Sequence, residues 1–229
     1  MNIQLSHSLD LSHHVDQGTA WLVTSEGGAL TVPLTYAAFE LRFGVERLAM
    51  QYLGELRGRP PEVGDLDDLR TYKTMENLIY RLGGHQRQIN GHFEFMRMVM
   101  SFLKIDSKLI TPDFGKLSNY WHTCSDLCHI GGLLALHDAE FAGQAYAELS
   151  SIADALKEQV SGLVTWPNIS DEGFRTLRAT FIEGRIAADD VFRYLKKIGV
   201  WAALTVPGQE GWTPVGTPIT PEPDNASST

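Results

Sequence analysis

LTYAAFELRFGVERLAMQYLGEL, residues 34–56, is the stretch that decides the fold. It has no proline and is rich in strong helix formers, so it predicts a helix of about six turns. Stepping ~100° per residue gives two apolar stripes. Tyr36, Phe39, Phe43, Met50 and Leu53 form one; Leu34, Leu41, Val45, Leu48 and Tyr52 form the other. Only a strip with Glu40, Arg47, Gln51 and Glu55 suits water. A helix apolar over roughly two-thirds of its circumference is central, with neighbours on several sides. Arg42 lies between the stripes and Glu46 lies one turn on, at the edge of the first. They predict either an ion pair inside a bundle or a marker of an interhelical cleft.

The remaining chain reads as helices around this one. A first helix is expected over 12–24, capped by Ser12, with Val15, Trp21 and Leu22 inward and His13-His14 as a solvated start. Residues 29–33 should run extended into the central helix, because the residue before Pro33 avoids helical angles. RGRPPEVGD (57–65) is a loop. Further helices are expected over 67–82, with the apolar series Leu69, Tyr72, Met75, Leu78, Ile79 and Leu82, over 85–103, with Ile89, His92, Phe95, Met96, Val99, Phe102 and Leu103 as its apolar face, and over 116–132. Others follow over 138–160, from a Ser170 cap through Phe181, and over 186–203. The helix over 138–160 should bury Phe141, Ala145, Leu149, Ile152 and Leu156, and the last should carry Val191, Tyr194, Leu195, Ile198 and Trp201 on its apolar side. From residue 207 the Pro- and Gly-rich tail cannot bury a core. No strand pattern stands out. The expected class is all-α: an up-and-down bundle over 1–135, additional C-terminal helices over 136–206 packing on it, and a disordered tail over 207–229.

Composition narrows the function. The 229 residues carry a net charge of −9 and a pI near 5.3, which opposes non-specific binding to nucleic acid. Cys124 and Cys128 lie four apart on one expected helix, poor geometry for a disulfide, so two reduced thiols in a cytoplasmic protein are expected. No apolar run approaches the ~20 residues of a membrane span, and the N-terminus lacks the pattern of a signal peptide.

Three constellations could carry chemistry. Arg42 and Glu46 are the first. In KLSNYWHTCSDLCHIGG (116–132), a regular helix would align Ser118, His122, Ser125 and His129 in one polar stripe, edged by Trp121 and Cys128. Histidines there suit acid–base work, or simply a half-buried structural role. A metal set of His122, Asp126 and His129 is weakly indicated, since no accompanying motif supplies further ligands, and no metal or cofactor is expected. Third, Arg87 and His92 have a spacing that could clamp a phosphate and move a proton. On a regular helix, however, the two side chains diverge by roughly 140°.

YAAFELRFGVERLAMQYL (36–53) and LSNYWHTCSDLCH (117–129) resemble elements of the HEPN superfamily, prokaryotic helical domains of toxin–antitoxin and antiviral systems. The resemblance covers residues 8–135. It implies a four- to five-helix bundle, a homodimer with a cleft at its interface, and RNA or a partner protein as ligand. Active members are metal-independent endoribonucleases using an arginine and a histidine with four to six residues between them. No arginine precedes His129 at that spacing; residues 122–124 are His, Thr and Cys, and only Arg87 and His92 fit. The expectation is therefore a binding or accessory protein, with a ribonuclease as the alternative. The catalytic candidates are Arg87, His92 and His129; the binding candidates are Arg42, Glu46, His122 and Ser125.

Overall fold

A computed structural model describes residues 11–59, 62–65, 67, 69–106, 108–162, 165–167, 169, 171–204 and 213–220. Among them are nine α-helices and two short strands, so the chain is essentially all-α as expected. They divide into two compact units, one drawn from Met1–Gln86 and Ile110–Trp166, the other from Arg87–Leu109 and Pro167–Thr229.

The first unit is built on α2, Thr31–Arg57. Leu34, Ala37, Ala38, Leu41, Val45, Leu48, Ala49 and Tyr52 have no exposed surface. Four helices pack on it: α1 (Leu11–Thr24), α3 (Tyr72–Gly83), α5 (Phe114–Cys128) and α7 (Ala139–Ser161). Because α7 touches both α1 and α2, it belongs to this unit and carries the bundle past residue 135. Of the inner face expected for α7, Phe141 is instead exposed, and Ala142 and Ala153 take interior places. Leu82, expected inward on α3, is also exposed.

Two glycines set how tightly this bundle closes. A Cβ on Gly18 of α1 would stand 2.8 Å from both Cγ and Cδ2 of Leu41. One on Gly44 of α2 would stand 3.2 Å from Leu156 Cδ1, on α7. Gly18, which weakens α1 by propensity, is a point where α1 meets α2 closely.

Helix α2 begins earlier than expected. Leu30 is its extended cap, and Pro33 falls in the first turn, where its missing N–H has no intrahelical acceptor to lose. The helix ends at Gly58, φ 66°, a left-handed position suited to glycine. Beyond it, Asp65 gathers the loop: Arg59 forks onto its two oxygens at 2.8 Å each, Arg57 Nη1 lies at 2.7 Å, and Glu62 N–H donates at 2.9 Å. Hydrogen bonding from Arg59 and from the backbone holds this carboxyl well below its usual range. His14 does not sit in water; its Nδ1 lies 2.8 Å from a Glu40 oxygen, and its ring packs on Phe43. Glu40, placed on the water-facing strip by periodicity, is that buried histidine's partner.

The second unit contains α4 (Gln86–Phe102), α8 (Glu172–Ile182), α9 (Ala188–Ile198) and a ribbon of β1 (Val200–Leu204) and β2 (Thr213–Ile219). Phe95, Val99, Leu103, Val191 and Leu195 form its core, with Phe174 and Phe181 5.4 and 5.6 Å from the Phe95 ring. Asp171 caps α8 by accepting from Phe174 N–H; Ser170, the expected cap, lies outside the described residues.

The ribbon corrects the expectation of helix to residue 203 and of a structureless tail from 207. Gly199, φ 71°, ends α9, and Val200–Leu204 pairs antiparallel with Thr213–Ile219. Trp201 is consequently 67% exposed instead of buried on a helix face, and Ile198 is exposed too. Pro214 and Pro218 hide the strand in the sequence, yet a proline is tolerated on an edge strand. The other tail residues, 207–212 and 221–229, lie outside the described residues.

The helix contacts predict opposite outcomes for two alanine substitutions. Gly143 on α7 has nothing within 4 Å of a built Cβ, so Gly143→Ala should raise stability by up to about 1 kcal/mol through helix propensity. Gly18→Ala has the same propensity gain but must displace Leu41, and should be destabilising by about 1 kcal/mol or more. Urea unfolding of both variants checks the difference; equal gains would contradict the close approach.

Candidate functional site

The polar stripe expected over 118–129 does not form, because α5 ends at Cys128. His129 is extended (φ −90°, ψ 158°) and joins α5 to α6, Ile130–Ala135. Gly132 makes this sharp joint feasible: a Cβ there would lie 2.1 Å from the Asp126 carbonyl oxygen and 2.8 Å from Leu127 Cα. His129 therefore leaves the helix face that carries Ser125. His122 is exposed, whereas Ser125 is 3% exposed, with a buried hydroxyl that meets no acceptor or donor among the described residues.

The joint carries His129 and Cys128 to α2. Together with Thr35, Tyr36, Phe39 and Arg42 they line an open groove of about 300 Å³. Two of the walls were expected in the core, yet Tyr36 is 51% and Phe39 42% exposed. The apolar periodicity of α2 is real, but part of its first stripe faces water.

Arg42 is the groove's cation. Its guanidinium carbon lies 5.7 Å from the centre of the Phe39 ring and 5.5 Å from that of Phe43. Its Nε is 3.5 Å from Glu46 Oε1, an ion pair without hydrogen-bond geometry, and this buried Nε has no hydrogen-bond partner among the described residues. Glu46 is engaged elsewhere: Trp121 on α5 donates its indole N–H to the same oxygen at 2.8 Å. The Trp121 ring in turn stacks on Tyr72 of α3, centres 5.6 Å apart and planes at 16°. Arg42 and Glu46 are thus partly exposed, neither sealed in the bundle nor fully satisfied by each other.

Both thiols lie in the field of Arg42. Burial pushes Cys128 and, more strongly, Cys124 upward, and Arg42 pulls each partly back. They remain thiols at neutral pH, and both cysteines are free. Among the described residues no three His, Cys, Asp or Glu side chains stand together as a metal set, so His122, Asp126 and His129 do not converge. Also among those residues, no helix is long and apolar enough to cross a membrane.

The third constellation separates. Arg87 is exposed on α4, whereas His92 is 4% exposed. Arg178 on α8, a residue that no sequence pattern marks, has Nη1 3.1 Å from His92 Nδ1. An arginine is always a donor, so Nδ1 accepts and the proton of neutral His92 rests on Nε2. Burial, helped by Arg178, pushes His92 down to about 4, against a weaker opposing hydrogen bond with the Pro167 backbone. Such a histidine is a structural acceptor at neutral pH.

This contact has a pH signature. His92 takes up its proton near 6.5 when unfolded but only near 4 when folded, so acid favours the unfolded chain across that window. Stability held above pH 6.5 should fall toward pH 4 by an amount on the order of 3 kcal/mol from this group. The stability difference between wild type and His92→Gln should shrink over the same window in denaturant titrations; a pH-independent difference would contradict a buried neutral imidazole.

No protein-family model, curated protein or solved structure matches the chain.

Proposed function

We propose that this is a HEPN-like helical binding or accessory protein, of the kind found in prokaryotic defence or toxin–antitoxin settings, and that the groove of the first unit is its recognition surface. The observation that carries this reading is Arg42, a partly exposed guanidinium on aromatic rings, lining a groove with His129, Tyr36 and Phe39. Arginine and large aromatics are the side chains that dominate recognition energetics, because they combine broad apolar contact with directed polar groups. Ile130, Leu133 and Leu134 on α6, which follows His129, are exposed as well.

Acid–base chemistry has less support. His92 is occupied by Arg178 and is neutral, Arg87 points to water, and His129 stands beside a thiol whose proton is firmly held. A net charge of −9 also disfavours a polyanionic substrate.

The alternative ribonuclease reading is tested with purified full-length chain and single-stranded RNA in the presence of a chelator. RNA should stay as intact as in buffer, with wild type, His92→Ala and His129→Ala indistinguishable. Cleavage by the wild type that disappears in either variant would contradict the binding reading.

A further inference from the structure

The two acceptor-rich arginine sites of the first unit differ in a way that points to a ligand. At Asp65, the guanidinium of Arg59 uses two nitrogens on two carboxylate oxygens, the forked geometry an arginine favours. At Arg42 the nearest carboxylate, Glu46, gives one long contact and is bonded to Trp121. Arg42 makes no hydrogen bond to any described residue, and its guanidinium is partly desolvated by Phe39 and Phe43. It lines a groove whose other walls are mostly apolar or aromatic.

Charge selects among anions. Glu46 stands 3.5 Å from Arg42 and cancels most of its field beyond the immediate neighbourhood. A dianion such as a phosphate monoester would bring a second negative charge up to Glu46 and be repelled more strongly than a monoanion. A monoanion that is planar and forks onto the terminal nitrogens fits the cation without demanding excess positive charge. Tyr36 and Phe39 supply flat faces for an apolar body beside that anion. About 300 Å³ is the lower end of ligand-sized pockets, enough for one ring and its acid group.

We infer that the groove between Tyr36, Phe39, Arg42 and His129 is a binding site for a small monocarboxylic acid carrying an aromatic or comparably flat apolar group. The inference rests on the groove being the recognition surface. The carboxylate forks onto the outer nitrogens of Arg42, while the ring lies along Tyr36 and Phe39. Glu46, held by Trp121, fixes the guanidinium and tunes the site to a single negative charge.

The test titrates the full chain with phenylacetate, phenylacetamide and phenyl phosphate, reading backbone chemical shifts of Thr35, Tyr36, Phe39, Arg42, Cys128 and His129. Phenylacetate should shift these residues saturably, and the other two compounds should bind about tenfold more weakly or worse. Arg42→Gln should weaken phenylacetate about tenfold or more while leaving shifts far from the groove unchanged. Arg42→Lys, which keeps the charge but loses the fork, should fall between and serves if the Gln variant does not fold.

Equal binding of the amide would overturn the carboxylate assignment while leaving the groove as a recognition surface. Tighter binding of phenyl phosphate would overturn the monoanion argument. Absence of shifts with phenylacetate, or the same shifts produced by raising protein concentration alone, would overturn the site, the latter assigning this face to self-association.

Discussion

The hydrogen bond from the Trp121 indole N–H to Glu46, 2.8 Å long, is the interaction on which the site depends. It crosses from α5 to α2 and holds the Glu46 oxygen that lies 3.5 Å from Arg42 Nε, an ion pair made without a close fork. The indole can make this bond because its ring is held flat against Tyr72 on α3. Three helices of the first unit thereby fix one carboxylate, and the arginine beside it keeps its terminal donors for something else. In a bundle that buries ten residues of α2, such an arrangement places a directed cation on the one side of the helix that neighbours leave open.

That open side follows from how tightly the other sides are packed. Gly18 lets α1 approach α2 until a methyl group would collide with Leu41, and Gly44 lets α7 approach until one would press tightly on Leu156. Helices this close cover Leu41, Val45 and Leu48 completely, while Tyr36, met on one side by Trp21, and Phe39 stay exposed. The sharp α5–α6 joint, tolerated by Gly132, then brings Cys128 and His129 to the rim of the uncovered strip. Packing density and a backbone joint, more than any motif, create the groove.

Much of the fold was legible in the sequence because helix periodicity and caps are local signals. The α7 span, the burial of Ile89, His92, Phe95 and Val99 on α4, and the central place of α2 all follow from spacing. What stayed hidden depends on tertiary partners. Periodicity marks Phe39 and Leu41 alike as apolar; only the positions of α1, α5 and α7 decide that one is exposed and the other sealed. His14 looked like a solvated helix start until Glu40, twenty-six residues on, supplied its partner. Ser125 and His129 looked like one stripe because nothing short of the Gly132 contact reveals that the helix stops between them. Arg178 carried no local signal at all, yet it donates to His92 Nδ1 and adds to burial in keeping the imidazole neutral. Prolines 214 and 218 concealed a strand because local propensity counts against them wherever they fall, while an edge position accepts them.

The account stands or falls on Glu46 being committed to Trp121. A double-mutant cycle of Glu46→Gln and Trp121→Phe, read by urea unfolding, measures that commitment directly. A hydrogen bond between an indole and a partly buried carboxylate predicts a coupling of about 1.5–3 kcal/mol. Additive effects of the two substitutions would mean that Trp121 does not hold Glu46, and would contradict the arrangement described beside Arg42.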